Sequence, residues 1–88
     1  MRILIVEDEI RISEGIEKLL HKIDSEYEIA GIAADGLEGL QMCRQLNPDL
    51  IITDVQMPEM DGLKMLEAVY AEGFAAKAIV ISAYSEFE

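Results

Sequence analysis

Residues 51–62 read IITDVQMPEMDG: the β-branched run Ile51-Ile52-Thr53 ends on Asp54, and Pro58, Glu59, Asp61 and Gly62 follow shortly after. An apolar run without polar alternation is the pattern of a strand covered on both faces, as in a parallel sheet. Proline and glycine then supply the turn. Open parallel sheets bind ligands at the carboxyl ends of their strands, so the position of Asp54 makes it the first candidate functional residue.

Working outward, the same pattern recurs. Ile3-Leu4-Ile5-Val6 is a strand followed by Glu7-Asp8-Glu9, and Ala78-Ile79-Val80-Ile81 is a strand followed by Ser82. Glu28 to Ala33, EIAGIA, reads as a weaker strand because Gly31 gives it little to pack. Between the strands lie helical periodicities. Ile12, Ile16, Leu19, Leu20 and Ile23 form an inner stripe, with Arg11, Glu14, Glu17, Lys18 and Lys22 outside. Asp35-Gly36-Leu37-Glu38 fits a capping box that starts a second helix, whose stripe is Leu37, Leu40 and Cys43 or Arg44 and whose end is Asn47-Pro48. Leu63, Leu66, Val69 and Tyr70 give a third helix that stops near Gly73. Strands joined through helix-length connections describe β-α-β units, hence an α/β fold: a doubly wound parallel sheet with helices on its faces.

Composition bounds the function. The chain has 88 residues, one domain at most, of which 51% are hydrophobic, enough for a packed core. The net charge of −11 argues against direct nucleic-acid binding and against anionic membranes, and favours cations and basic protein surfaces. A single cysteine, Cys43, excludes an internal disulfide, and the N-terminus MRILIVEDE is neither a signal peptide nor a membrane span, so a cytoplasmic location is expected. Neither G-x-G-x-x-G nor G-x-x-x-x-G-K-[ST] occurs, which sets nucleotide binding aside.

If the first and third strands are neighbours, Glu7, Asp8 and Asp54 converge. Clustered carboxylates repel, which raises at least one pKa, and a divalent cation relieves the repulsion. Mg2+ suits such a site, being hard, oxygen-seeking and content with one or two carboxylates and several waters; Mn2+ is an alternative ion. Any one of these acids alone is most simply a solvated cap. His21 reads as a surface histidine, Cys43 as a small core residue, and Met57, Met60 and Met65 as packing.

Three stretches, ILIVEDE, DLIITDVQMPEMDGL and AIVISAYSEFE, resemble the receiver domain of two-component response regulators over the whole chain, 1–88, and the second and third are similar to receivers that precede AraC-type output domains. The resemblance implies a flavodoxin-like (CheY-like) sheet of order 2-1-3-4 with three helices and the start of a fourth. It implies that Asp54 is the phosphoacceptor, taking a phosphoryl group from a phosphohistidine of a sensor histidine kinase. Asp8 becomes a direct metal ligand, Glu7 a ligand through water, and the Gln56 backbone carbonyl a further ligand. Ser82 becomes the hydroxyl that bonds the phosphoryl group and moves in the active state, and Ala83 a position governing water access. The resemblance further implies a C-terminal DNA-binding output domain in the parent protein and a receiver that catalyses its own phosphorylation and dephosphorylation.

Glu7 is one methylene longer than the aspartate often found at its position. The family's lysine and aromatic switch residue on strand five would lie beyond Glu88, and none of Lys18, Lys22, Lys64 and Lys77 substitutes for that lysine. Ser85-Glu86-Phe87-Glu88 resembles another capping box and announces a helix that does not follow. We therefore expect a receiver truncated before strand five, better at binding metal than at phosphorylation, with the edge of strand four open to pairing in a homodimer. The rival is a non-phosphorylatable fragment that acts as a folding or dimerisation unit.

Overall fold

The computed structural model describes residues 1–81. Along the chain run β1 (Arg2–Val6), α1 (Ile10–Ile23), β2 (Glu28–Ala33), α2 (Gly36–Leu46), β3 (Leu50–Asp54), α3 (Gly62–Ala71) and β4 (Lys77–Ile81). The strands form one parallel sheet in the order β2-β1-β3-β4, as the resemblance implies. Ser82, Ala83, the closing capping box and the start of a fourth helix lie outside the described residues.

The pleat of the central strands sorts their side chains between two layers. Leu4, Val6 and Ile51 face α2 and α3, where they pack with Leu40, Cys43, Met65, Leu66 and Val69. Ile3, Ile5 and Ile52 face α1 through Ile16 and Leu20. Both faces are filled, which explains why β1 and β3 lack polar alternation. Cys43 is fully buried, and burial pushes its thiol pKa up. His21 is exposed, Met65 is fully buried, and Met57 and Met60 are packed at the core's border.

The inner stripes differ from the apolar periodicity. Leu19 and Ile23 of α1, Leu37 of α2, and Leu63 and Tyr70 of α3 are exposed. Small residues take the inner positions instead: Ser13, Gly36, Gly39 and Gly62 are buried. A Cβ on Gly39 would stand 2.6 Å from Met65 Sδ and 3.1 Å from a Val6 methyl, so glycine lets α2 lie close against β1 and α3. In α1, among the described residues the only helix on its face, Leu19 and Ile23 flank the contact line of Ile16 and Leu20.

Local signals set the boundaries. Asp35 Oδ1 accepts from Glu38 N at 2.8 Å, as a capping box requires. Its reciprocal arm is shifted by one residue, because Glu38 Oε1 accepts from Ala34 N at 2.8 Å. Asn47 ends α2 in the left-handed region at φ 47°, just before Pro48. In β2 the register skips a residue, pairing Ile3 with Ile29 and Leu4 with Gly31, and Leu46 and Met42 of α2 fill the space over Gly31.

Candidate functional site

β1 and β3 pair in register from Ile3↔Leu50 to Val6↔Thr53, so the next residue of each, Glu7 and Asp54, leaves the sheet side by side. Glu7 is anchored on the other side as well, since its backbone N–H donates to Ala33 O at 2.9 Å. Asp8 follows at the turn into α1. Carboxylate oxygens of Glu7, Asp8 and Asp54 all lie within 4.8 Å of one another. The structure thus brings the three predicted acids together at the carboxyl end of the sheet.

Their surroundings differ. Glu7 is only 5% exposed, Asp54 is half-buried and Asp8 is open to solvent. Burial raises the pKa of Glu7, the charges of Asp54 and Asp8 add to the rise, and the bond from Glu9 N to Glu7 Oε2 at 3.0 Å opposes it. Asp54 Oδ1 accepts from Val55 N at 2.7 Å, which orients the carboxylate. Gln56, two residues on, is exposed.

The donor set is all oxygen, anionic and partly desolvated, which fits a hard divalent cation. Its span of 4.8 Å suits one ion held by two carboxylates with the third reached through water. Two other nearby acids are occupied differently. Asp35 and Asp61 cap α2 and α3, the latter accepting from Lys64 N at 2.8 Å. A depression of about 640 Å³ lined by Gly15, Lys18, Leu19, His21 and Lys22 runs along α1 and includes none of the clustered acids.

The loop between β3 and α3 carries features that the apolar pattern does not reveal. Thr53 Oγ1 donates to Asp54 O at 2.8 Å. Gly62 N donates to Val55 O at 2.8 Å, and a Cβ on Gly62 would stand 1.9 Å from Asp54 O. Glu59 has φ +65° and Met60 N donates to Pro58 O at 2.7 Å, the signature of a tight three-residue turn. Gly36 N donates to Met60 O at 2.9 Å. The one sequence signal for these contacts was the repeated Asp-Gly step at 35–36 and 61–62. Ser82 and Ala83, the other predicted positions, are outside the described residues.

The profile of the response regulator receiver domain matches residues 3–88. The chain belongs to that family. Among similar proteins, a protein-glutamate methylesterase/protein-glutamine glutaminase of Methanospirillum hungatei is 39% identical over 82 residues, covering 93% of this chain and 24% of the relative. The response regulator protein TrrA of Thermotoga maritima, solved in complex with Mg2+-BeF, is 37% identical with a TM-score of 0.85, covering 96% of this chain and 70% of that one. A DNA-binding response regulator of the LuxR family from Staphylococcus aureus has 25% identity and a TM-score of 0.86, with 97% and 70% covered. The chain spans only 20% to 24% of the length of three methylesterase relatives.

The fold is therefore a CheY-like receiver fold of two-component signalling, and receiver domains bind Mg2+ at an acidic pocket. No helix among the described residues is long and apolar enough to cross a membrane.

Proposed function

We propose that this receiver accepts a phosphoryl group on Asp54 from the phosphohistidine of a sensor histidine kinase and so switches an output domain of its parent protein. The observation that carries the reading is the convergence of Glu7, Asp8 and Asp54 within 4.8 Å. Asp8, Asp54, the Gln56 carbonyl and, through water, Glu7 are the residues that would hold Mg2+, whose contribution is to neutralise charge at the phosphoryl oxygens. An Asp54 oxygen forms the new bond to phosphorus, the phosphorus–nitrogen bond breaks, and the imidazole nitrogen keeps the electron pair and takes up a proton. The Val55 N–H holds Asp54 in place for that attack.

Ser82 follows Ile81, the β4 residue registered with Asp54, which supports its reading as the hydroxyl that bonds the phosphoryl group. The coverage of 70% of TrrA supports residues 1–88 as the larger part of one receiver unit. The likeness to the DNA-binding response regulator of Staphylococcus aureus supports a DNA-binding output. The named outputs of the relatives differ, so the AraC-type likeness rests on the two stretches around Asp54 and at 78–88. The acidic composition and the absence of a spanning helix among the described residues support work in the cytoplasm, away from anionic surfaces.

The test is incubation with acetyl phosphate or carbamoyl phosphate and Mg2+. Incorporation that requires Mg2+ and disappears in Asp54→Asn supports the reading. No incorporation into the native sequence, or equal incorporation into Asp54→Asn, overturns it.

A further inference from the structure

We propose that Gly36, on α2, is a positioning residue for Asp54, acting by clasping the phosphoacceptor loop through the Met60 carbonyl. The inference rests on the reading of Asp54 given above and names a residue outside the acid cluster that serves the same chemistry.

Loop 55–61 is fixed at two points. At its root, Gly62 N donates to Val55 O at 2.8 Å, while Val55 N donates to Asp54 Oδ1 at 2.7 Å. Val55 therefore holds the carboxylate with its N–H and the far end of the loop with its carbonyl. At its tip, Met60 O accepts from Gly36 N at 2.9 Å. Between the two points, the turn at Glu59 transmits a fixed geometry from Pro58 to Met60. The chain of contacts runs Gly36, Met60, Gly62, Val55, Asp54.

The clasp leaves no room for a side chain. A Cβ on Gly36 would stand 2.2 Å from Met60 O, 2.9 Å from Met60 C and 3.0 Å from Met60 Cβ. Two of the three obstacles are backbone atoms, so no rotamer change relieves the clash. Ordinary contact requires a displacement of about 1 Å, an error of the size that costs on the order of 100-fold where reacting groups must be aligned. Because Asp35 caps α2 and Glu38 ties back to Ala34, the helix end is held and the loop is the part that gives way.

Gly36→Ala tests the clasp, with Gly15→Ala as its control. Gly15 lies exposed in α1, a Cβ there meets nothing within 4 Å, and alanine is the better helix former, so this change offsets lost stability without touching the site. The chain is labelled with acetyl phosphate, its Mg2+ affinity is measured by calorimetry, and its melting temperature is recorded. Gly36→Ala is expected to label 10- to 100-fold more slowly and to bind Mg2+ at least several-fold more weakly. In Gly15→Ala/Gly36→Ala the melting temperature recovers and both deficits persist. A labelling rate and Mg2+ affinity within twofold of the native values in a folded Gly36→Ala chain overturn the proposal. So does recovery of the rate together with the melting temperature. Failure of the native chain to label overturns the reading of Asp54 instead, so the two failures are distinguishable.

Discussion

Replacing Glu7 by glutamine should make the metal-free protein more stable at neutral pH and less responsive to Mg2+. Glu7 is nearly buried, its carboxylate oxygen lies within 4.8 Å of one from Asp54, and its Oε2 accepts from Glu9 N. Two unit charges at 4.8 Å repel by about 3.5 kcal/mol at an effective dielectric constant near 20 and by about 0.9 kcal/mol in bulk water. Asp54 is half-buried, so a value of about 1–2 kcal/mol is reasonable between those limits. Glutamine keeps an oxygen for the Glu9 N–H and removes the charge. For a domain of this size each kcal/mol moves the melting temperature by about 4–8 °C, which gives an increase of about 5–15 °C in chelator at pH 7.

The sign of the pH dependence follows from the raised pKa of Glu7, caused first by burial and then by the neighbouring charges. The folded chain holds that proton more tightly than the unfolded chain. Stability is therefore lost as pH rises from the ordinary glutamate value through the raised one, and the penalty is complete above it. The advantage of Glu7→Gln should be full above the raised pKa of Glu7 and vanish below the ordinary glutamate pKa. Saturating Mg2+ narrows the difference, because an ion at 100 times its dissociation constant stabilises the native protein by about 2.7 kcal/mol and the variant, with one charge fewer, by less. Thermal unfolding followed by circular dichroism, with chelator and with Mg2+ at several pH values, measures all of this. A variant that is less stable than the native protein in chelator at pH 7 while gaining as much from Mg2+ would refute the claim that the cluster holds repelling charges an ion relieves.

Gly62→Ala should lose about 1–3 kcal/mol of stability, the usual cost of overpacking, since its Cβ would stand 1.9 Å from the Asp54 carbonyl; an unchanged urea midpoint would contradict that geometry. Ile79 and Val80 are 49% and 43% exposed on β4, which pairs among the described residues only with β3. We therefore expect the 88-residue chain to sediment as a dimer near 100 µM and Ile79→Lys, a charge placed on that strand, to shift it toward monomer. A native chain that stays monomeric at that concentration would remove the case for strand pairing.

The sheet was legible in the sequence because its signal is one of large side chains: runs rich in β-branched residues at 3–6 and 50–53, without polar alternation, identify strands buried on both faces, and the register then leaves no freedom to the acids that follow them. Glu7, Asp8 and Asp54 could be grouped once the resemblance made β1 and β3 neighbours, since adjacent parallel strands end together. Helix faces were less legible, because the same reading counts large apolar residues and ignores small ones. Leu37 and Leu63 look like core by spacing, yet Gly36, Gly39 and Gly62 hold the inner positions. A glycine contributes almost nothing to a hydrophobic pattern, and its value lies in the atoms that approach it, which the sequence does not display. The contacts that fix the Asp54 loop are of this kind throughout: a backbone N–H of Gly36, a backbone carbonyl of Met60, and the close pass of Gly62. What the sequence conceals at this site is therefore the backbone that aims the charges, and the steric cost of a single methyl group at residue 36 or 62 is where that concealed part becomes measurable.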